Sequence, residues 1–313
     1  MLLENINSVA VDYFKRSGFH DITSMKESPD SEVLEEILKN VSILGVRSKT
    51  KLDANLLSKA KSLVAVGCFC IGHDKVDIDF ANKNGIKIFN APYANTRSVA
   101  ELVIGEMIML MRRVPQKNFA CHNGIWEKSA SGCFEVRGKT LGIVGYGHIG
   151  AQVSILAEAL GMSVIYYDVA KQLYFGNAKS VDSLEDLLRQ SDVVTLHVPQ
   201  IKGTINMISK QRLDIMKDGA ILINASRGKI VNIEALVESL KSGKISGAAI
   251  DVYPEEPASN KEKFVSELQQ FNNVILTPHI GGSTEEAQRN IALDVSEKLV
   301  NYYLYNDSSC CCR

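Results

Sequence analysis

The stretch that most constrains this chain is TLGIVGYGHIGAQVSILAEALGMSVIYYD, Thr140 to Asp168. A short apolar run, Thr140 to Val144, meets Gly145, Gly147 and Gly150 in the spacing G-x-G-x-x-G. Apolar residues then recur at helical spacing (Ile149, Val153, Leu156, Leu160) until Gly161, and a second apolar run ends on Asp168. Strand, glycine turn, helix and strand in this order are suited to a dinucleotide. Gly145 permits the tight turn, Gly147 lets backbone approach a pyrophosphate, and Gly150 lets helix pack on strand. The helix start supplies free N–H groups and positive dipole, so His148 counts for its backbone more than its ring. Asp168 stands where a carboxylate accepts from the adenosine ribose hydroxyls. It would repel a 2′-phosphate, and no arginine directly follows it, so NAD is expected over NADP.

With 313 residues the chain has room for two domains, and 45% hydrophobic with 23% charged residues is ordinary for a globular protein. A formal net charge of −1 gives no reason to expect nucleic acid or an anionic membrane as partner. No signal pattern opens the chain, and no apolar run is long enough to span a bilayer. The seven cysteines do not form a disulfide scaffold, and Cys68-x-Cys70 lacks zinc spacing. Ordinary thiols in a reducing cytoplasm, and no metal, are expected.

Taken in order, apolar runs at Val41–Val46, Leu63–Val66 and Ile86–Phe89 have strand length, with helical segments between, one starting near Pro29. That alternation predicts a small parallel α/β unit. From Asn95, NTRSVAELVIGEMIMLMRRV reads as a long helix, with Ser98 and Glu101 as a capping box and apolar residues around much of its surface, so burial between domains is expected. Asn118 to Gly138 reads as a loop carrying Trp126. From Thr140 six strand-like runs end at Gly145, Asp168, Val198, Ser226, Val252 and Leu276, as in a doubly wound sheet. A last helix is predicted from Ser283, with Glu286 completing a second capping box. The tail SSCCCR reads as a disordered end or a truncation scar.

Ligands of a doubly wound sheet lie beyond the carboxyl ends of its strands. There the late strands deliver Arg227, Asp251 with Glu256, and His279. Singly, each has an ordinary reading: a surface ion pair, a solvated loop acid, a structural histidine. Together they fit hydride transfer from an alcohol carbon. His279 is the base, Glu256 orients it and holds its pKa up, and Arg227 clamps a substrate carboxylate and polarises the forming carbonyl. Asp251 is placed for the cofactor carboxamide or its ribose, and His197, at a strand end, borders the cofactor. His20, His73 and His122 have no evident partner.

These residues lie in blocks (VAVGCFCIG, FNAPYANTRSVAELVIGE, LGIVGYGHIG, INASRGKIV, AAIDVYPEEP, LTPHIGGST) that together resemble the D-isomer-specific 2-hydroxyacid dehydrogenase family over nearly the whole chain. The resemblance implies a catalytic set of Arg227, Glu256 and His279. It implies NAD contacts at His148, Ile149, Asp168, Ala225, Ser226, Arg227, Asp251, and His279 through Gly281 and Gly282. It implies a Rossmann nucleotide domain, residues 95–281, inserted in a smaller flavodoxin-like substrate domain of 1–94 and 282–313. A hinged cleft closing on substrate and a homodimer through the nucleotide domain follow from the same likeness. The activity implied is oxidation of 3-phospho-D-glycerate to 3-phosphohydroxypyruvate, first step of L-serine synthesis. Arg47 would take the phosphate in a loop made basic by Lys49 and Lys51. Ser48, Asn95 and the Cys70, Ile71 and Gly72 backbone would lie near the substrate. Two alternatives stay open: another member reducing glyoxylate, hydroxypyruvate or 2-oxoglutarate, and a non-catalytic NAD(H)-sensing module. Relatives that continue into a serine-binding regulatory domain make serine insensitivity a further expectation, since this chain stops before it.

Overall fold

A computed structural model describes residues 1–305 apart from 74, 171, 258 and 260, so the SSCCCR tail lies outside the described residues. The chain forms two compact units, Met1–Asn95 with the segment from Ser283, and Thr96–Gly282.

The first unit runs α1 (Val9–Arg16), α2 (Ser31–Leu38), β1 (Ile43–Val46), α3 (Ala54–Lys59), β2 (Ala65–Cys68), α4 (Ile78–Lys83) and β3 (Lys87–Asn90). β1 and β2 are buried throughout, which is why they read as unbroken apolar runs rather than alternating ones. Asp53 and Asp77 cap α3 and α4 by accepting from Leu56 N (3.1 Å) and Phe80 N (3.0 Å). The three strands pair in parallel in the order β1-β2-β3, and Leu2 adds parallel bridges to both Gly45 and Ser24. Read across, Ser24, Leu2, β1, β2 and β3 follow the flavodoxin-like order.

The second unit opens with α5 (Thr96–Met111) and α6 (Val114–His122). Then follow β4 (Thr140–Val144), α7 (His148–Ala159), β5 (Ser163–Tyr167), β6 (Lys179–Ser180), α8 (Leu184–Gln190) and β7 (Val193–Leu196). The unit continues with α9 (Lys210–Ile215), β8 (Ala220–Asn224), α10 (Ile233–Ser242), β9 (Ile245–Ile250) and β10 (Val274–Leu276). Its sheet is parallel throughout, in the order β10-β9-β8-β7-β4-β5-β6, with apolar cores built on both faces. One face is covered by α5 and α7, the other by α8, α9 and α10. The chain then returns to the first unit as α11 (Glu285–Tyr305), whose Val295 and Leu299 pack over Gly67 of β2.

Four local expectations need correction. The sheet has seven strands, not six; β6 is two exposed residues at the edge, too short to leave a pattern. α5 begins at Thr96, which puts Ser98 inside the first turn rather than at a cap, and Glu101 pairs with Arg97 at 2.6 Å. α11 begins at Glu285, because the Thr284 hydroxyl, not Ser283, accepts from Ala287 N (3.1 Å). Asn118–His122 are helical as the end of α6, whose first turn holds Pro115, a residue pre-set for helix entry.

Candidate active site

The register of the second sheet aligns its strand tips. Val144 pairs with Tyr167 on one side and Leu196 on the other; Leu196 pairs with Asn224, Asn224 with Ile250, and Ile250 with Leu276. The residues that follow, Asp168, Gly145, His197, Ala225, Asp251 and Thr277, therefore form one row. The order reverses between β4, β5 and β7, the switch point where doubly wound sheets bind ligands.

At that point Gly145 adopts φ 91°, and a Cβ there would stand 2.4 Å from the His197 carbonyl oxygen. A Cβ on Gly150 would lie 2.3 Å from the Gly145 carbonyl oxygen, so α7 approaches the turn only because both are glycine. Around Gly147 no heavy atom lies within 4 Å of a Cβ position. The open space at the N-terminus of α7 suits a pyrophosphate. Asp168 Oδ2 accepts from Tyr146 N (2.8 Å) and Oδ1 from Ala170 N (2.9 Å), which aims the carboxylate beside the turn. His197 Nε2 is 3.0 Å from the Thr195 hydroxyl, and burial pushes the imidazole down to about 3, so the ring is neutral. The donors and the space fit a dinucleotide.

Further along the row, His279 Nδ1 lies 2.9 Å from Glu256 Oε2, while Glu256 Oε1 accepts from Tyr253 N (3.1 Å). The hydrogen bond to Glu256 raises the His279 pKa, outweighing its burial; the Asp251 charge adds to the rise and Arg227 opposes it. Burial pushes the Glu256 carboxyl up, but the His279 bond and charge, the Tyr253 N–H and Arg227 outweigh it and leave it low. Arg227 follows β8, its carbonyl accepting from Asn224 Nδ2 at 3.0 Å and its guanidinium donating to Ser226 O at 2.8 Å.

His279 sits in the left-handed region at φ 54°, costly for a residue other than glycine. Buried Asp251 holds it there. Its Oδ1 accepts from the Thr277 hydroxyl (2.6 Å) and Ile280 N (2.8 Å), its Oδ2 from Gly281 N (2.8 Å), and its carbonyl from His279 N (2.8 Å). Most of this carboxylate is thus committed to the 277–281 turn.

The D-isomer specific 2-hydroxyacid dehydrogenase NAD-binding domain matches residues 104–281. The chain is 54% identical to D-3-phosphoglycerate dehydrogenase of Haemophilus influenzae, over 96% of this chain and 74% of that protein. It belongs to the D-isomer specific 2-hydroxyacid dehydrogenase family. The enzyme of the same name from Escherichia coli K12 is 52% identical, with the same coverage. Among solved structures, D-lactate dehydrogenase from Aquifex aeolicus, complexed with NAD and lactic acid, aligns with a TM-score of 0.83 at 29% identity, covering 98% of this chain and 96% of that one.

This dehydrogenase therefore uses NAD and a small-molecule substrate, and no helix among its described residues is long and apolar enough to cross a membrane. No group of metal-ligating side chains occurs among the described residues. In the first unit, Arg47 and Ser48 follow β1 and Cys70–Gly72 follow β2, and the Cys70 thiol sulfur stands 3.5 Å from Arg47 O. The Asn95 Oδ1 atom is buried without a hydrogen-bond partner. One acid in the second unit has no role legible from the motifs: Glu106 of α5, 1% exposed, with neither oxygen hydrogen-bonded. It lies on the same helical stripe as Val99, Val103 and Leu110, and an acid on an apolar stripe was the available signal.

Proposed function

We propose that the chain oxidises 3-phospho-D-glycerate to 3-phosphohydroxypyruvate, the first step of L-serine biosynthesis. The observation that carries the chemistry is the His279–Glu256 pair, set on the same edge as the glycine turn and Arg227. The named activity of the relatives that match nearly the whole chain supports the substrate.

Because a carboxylate only accepts, Glu256 keeps the proton on His279 Nδ1 and leaves Nε2 as the base. Nε2 takes the substrate hydroxyl proton. Bound NAD supplies the hydride acceptor. Arg227 holds the substrate carboxylate through two N–H donors and steadies the oxygen as it becomes a carbonyl. Asp251 fixes the His279 turn, with remaining lone-pair capacity for the carboxamide. The phosphate is assigned to Arg47, with Ser48, Cys70, Ile71, Gly72 and Asn95 near the substrate.

A homodimer through the nucleotide-binding unit is proposed with this activity. Support comes from exposed apolar side chains on that unit, Phe119, Ile125, Trp126 and Phe134. The thiols Cys68, Cys121 and Cys133, none of them in a disulfide, suit a cytoplasmic setting. The substrate assignment is tested by comparing kcat/KM for 3-phosphoglycerate and D-glycerate at the NADH absorbance band, with Arg47→Ala as control. Equal values for the two acids would defeat it in favour of another reaction of the family.

A further inference from the structure

The basic loop after β1 is held from behind by a residue outside every motif. Glu4 is 7% exposed, and its carboxylate reaches across more than forty residues of sequence. Oε1 accepts from Thr50 N at 2.7 Å and Oε2 from Lys49 N at 3.1 Å, while the Glu4 carbonyl accepts from Arg47 Nη1 at 3.4 Å. A buried carboxylate is costly unless its oxygens are satisfied, and here two backbone N–H groups of one turn satisfy them.

The backbone at this position is strained as well. Glu4 has φ 62°, left-handed, where glycine would sit at ease. Leu3 N bonds Gly45 O (2.9 Å) and Asn5 N bonds Met25 O (3.0 Å), so the chain turns sharply between two ladder contacts and aims the side chain under the 47–50 turn. Ser48 and Lys49 are exposed on the opposite side of that turn. A strained residue whose side chain reaches one loop is a candidate for a role in that loop's function.

We propose that Glu4 is a positioning residue for the phosphate end of the substrate, its carboxylate fixing the turn that presents Arg47. This rests on the assignment of Arg47 to the substrate phosphate. Glu4 itself touches no substrate; it acts through the Lys49 and Thr50 amides. The Cys70 thiol, within reach of both Arg47 O (3.5 Å) and Gly72 O (2.9 Å), joins the same turn to the neighbouring loop.

The test compares Glu4→Gln and Glu4→Gly with the wild type. Glutamine keeps the shape but sets an amide N–H against a backbone N–H. Glycine relieves the left-handed backbone but removes both acceptors. In each variant KM for 3-phosphoglycerate should rise about tenfold, the equivalent of one charge-assisted hydrogen bond. Inorganic phosphate should weaken by a similar factor as a competitive inhibitor. KM for D-glycerate and for NAD should hold, and the effect should fall on KM rather than kcat. KM reads only the active molecules, so partial misfolding does not imitate the result. An equal rise in KM for both acids, or unchanged KM and phosphate inhibition in both variants, would overturn the proposal while leaving the Arg47 assignment intact. A wild type that ignores the phosphate, by rate and by inhibition, would remove both.

Discussion

His279 Nδ1 stands 2.9 Å from Glu256 Oε2, and that contact sets the protonation of the proposed base. It lifts the imidazole above its ordinary 6.5. Oxidation needs neutral Nε2, so kcat/KM for the hydroxy acid should climb as pH rises through the raised value. Reduction needs the imidazolium and should fall over the same window. Glu256→Gln should lower kcat by about 100-fold and move both limbs to lower pH, since the raising charge is gone. Rate profiles in both directions from pH 5.5 to 9 check this; unmoved limbs would refute the pairing as the cause.

Asp251 is the brace behind that histidine. Asp251→Asn places an amide where one of three donors now finds an oxygen, leaving a backbone or hydroxyl donor of the 277–281 turn without its acceptor. The expected loss of stability is about 1–3 kcal/mol, read from urea unfolding. Because His279 is held at φ 54° by the same bonds, kcat should fall further than the folded fraction does.

Glu106 carries a pH dependence of opposite origin. Burial, with the Asp251 charge adding to it, raises its carboxyl to about 8 from 4.5. The folded chain thus retains a proton that the unfolded chain has released. Stability contributed by this group is complete below about pH 4.5 and is lost as pH rises toward 8. Glu106→Gln should remove a slope of up to about 1.4 kcal/mol per pH unit across that window. Urea midpoints at pH 5.5 and 8 should separate for the wild type and converge for the variant; parallel midpoints would show Glu106 to be ionised when folded.

Gly228, beside Arg227, admits no side chain. A Cβ would stand 1.9 Å from the Tyr253 carbonyl carbon and 2.4 Å from Pro254 N, and both neighbours are backbone. Gly228→Ala should displace Arg227 or the Tyr253–Glu256 loop, costing at least about 1–3 kcal/mol of stability as overpacking, with activity nearly lost. Wild-type unfolding and turnover in this variant would contradict the observed closeness.

The βαβ unit at Thr140–Asp168, the tips of the larger sheet and the strand-end positions of Arg227, Asp251, Glu256 and His279 were legible in the chain itself. Strands buried on both faces leave apolar runs, glycine turns leave fixed spacings, and parallel register makes the end of each run the edge of the site. Helix starts leave a weaker trace: Thr284 rather than Ser283 caps α11, a choice between adjacent hydroxyls made by the incoming backbone. Glu4 and Glu106 acquired their places, and Asp251 its hold on the 277–281 turn, only in three dimensions. A carboxylate's meaning depends on which amides or charges surround it, and for Glu4 those amides lie 45 and 46 positions away. Periodicity records which face of an element is apolar; it carries no trace of a hydrogen bond closed between distant segments, and that long-range closure is what orients His279 and the Arg47 turn.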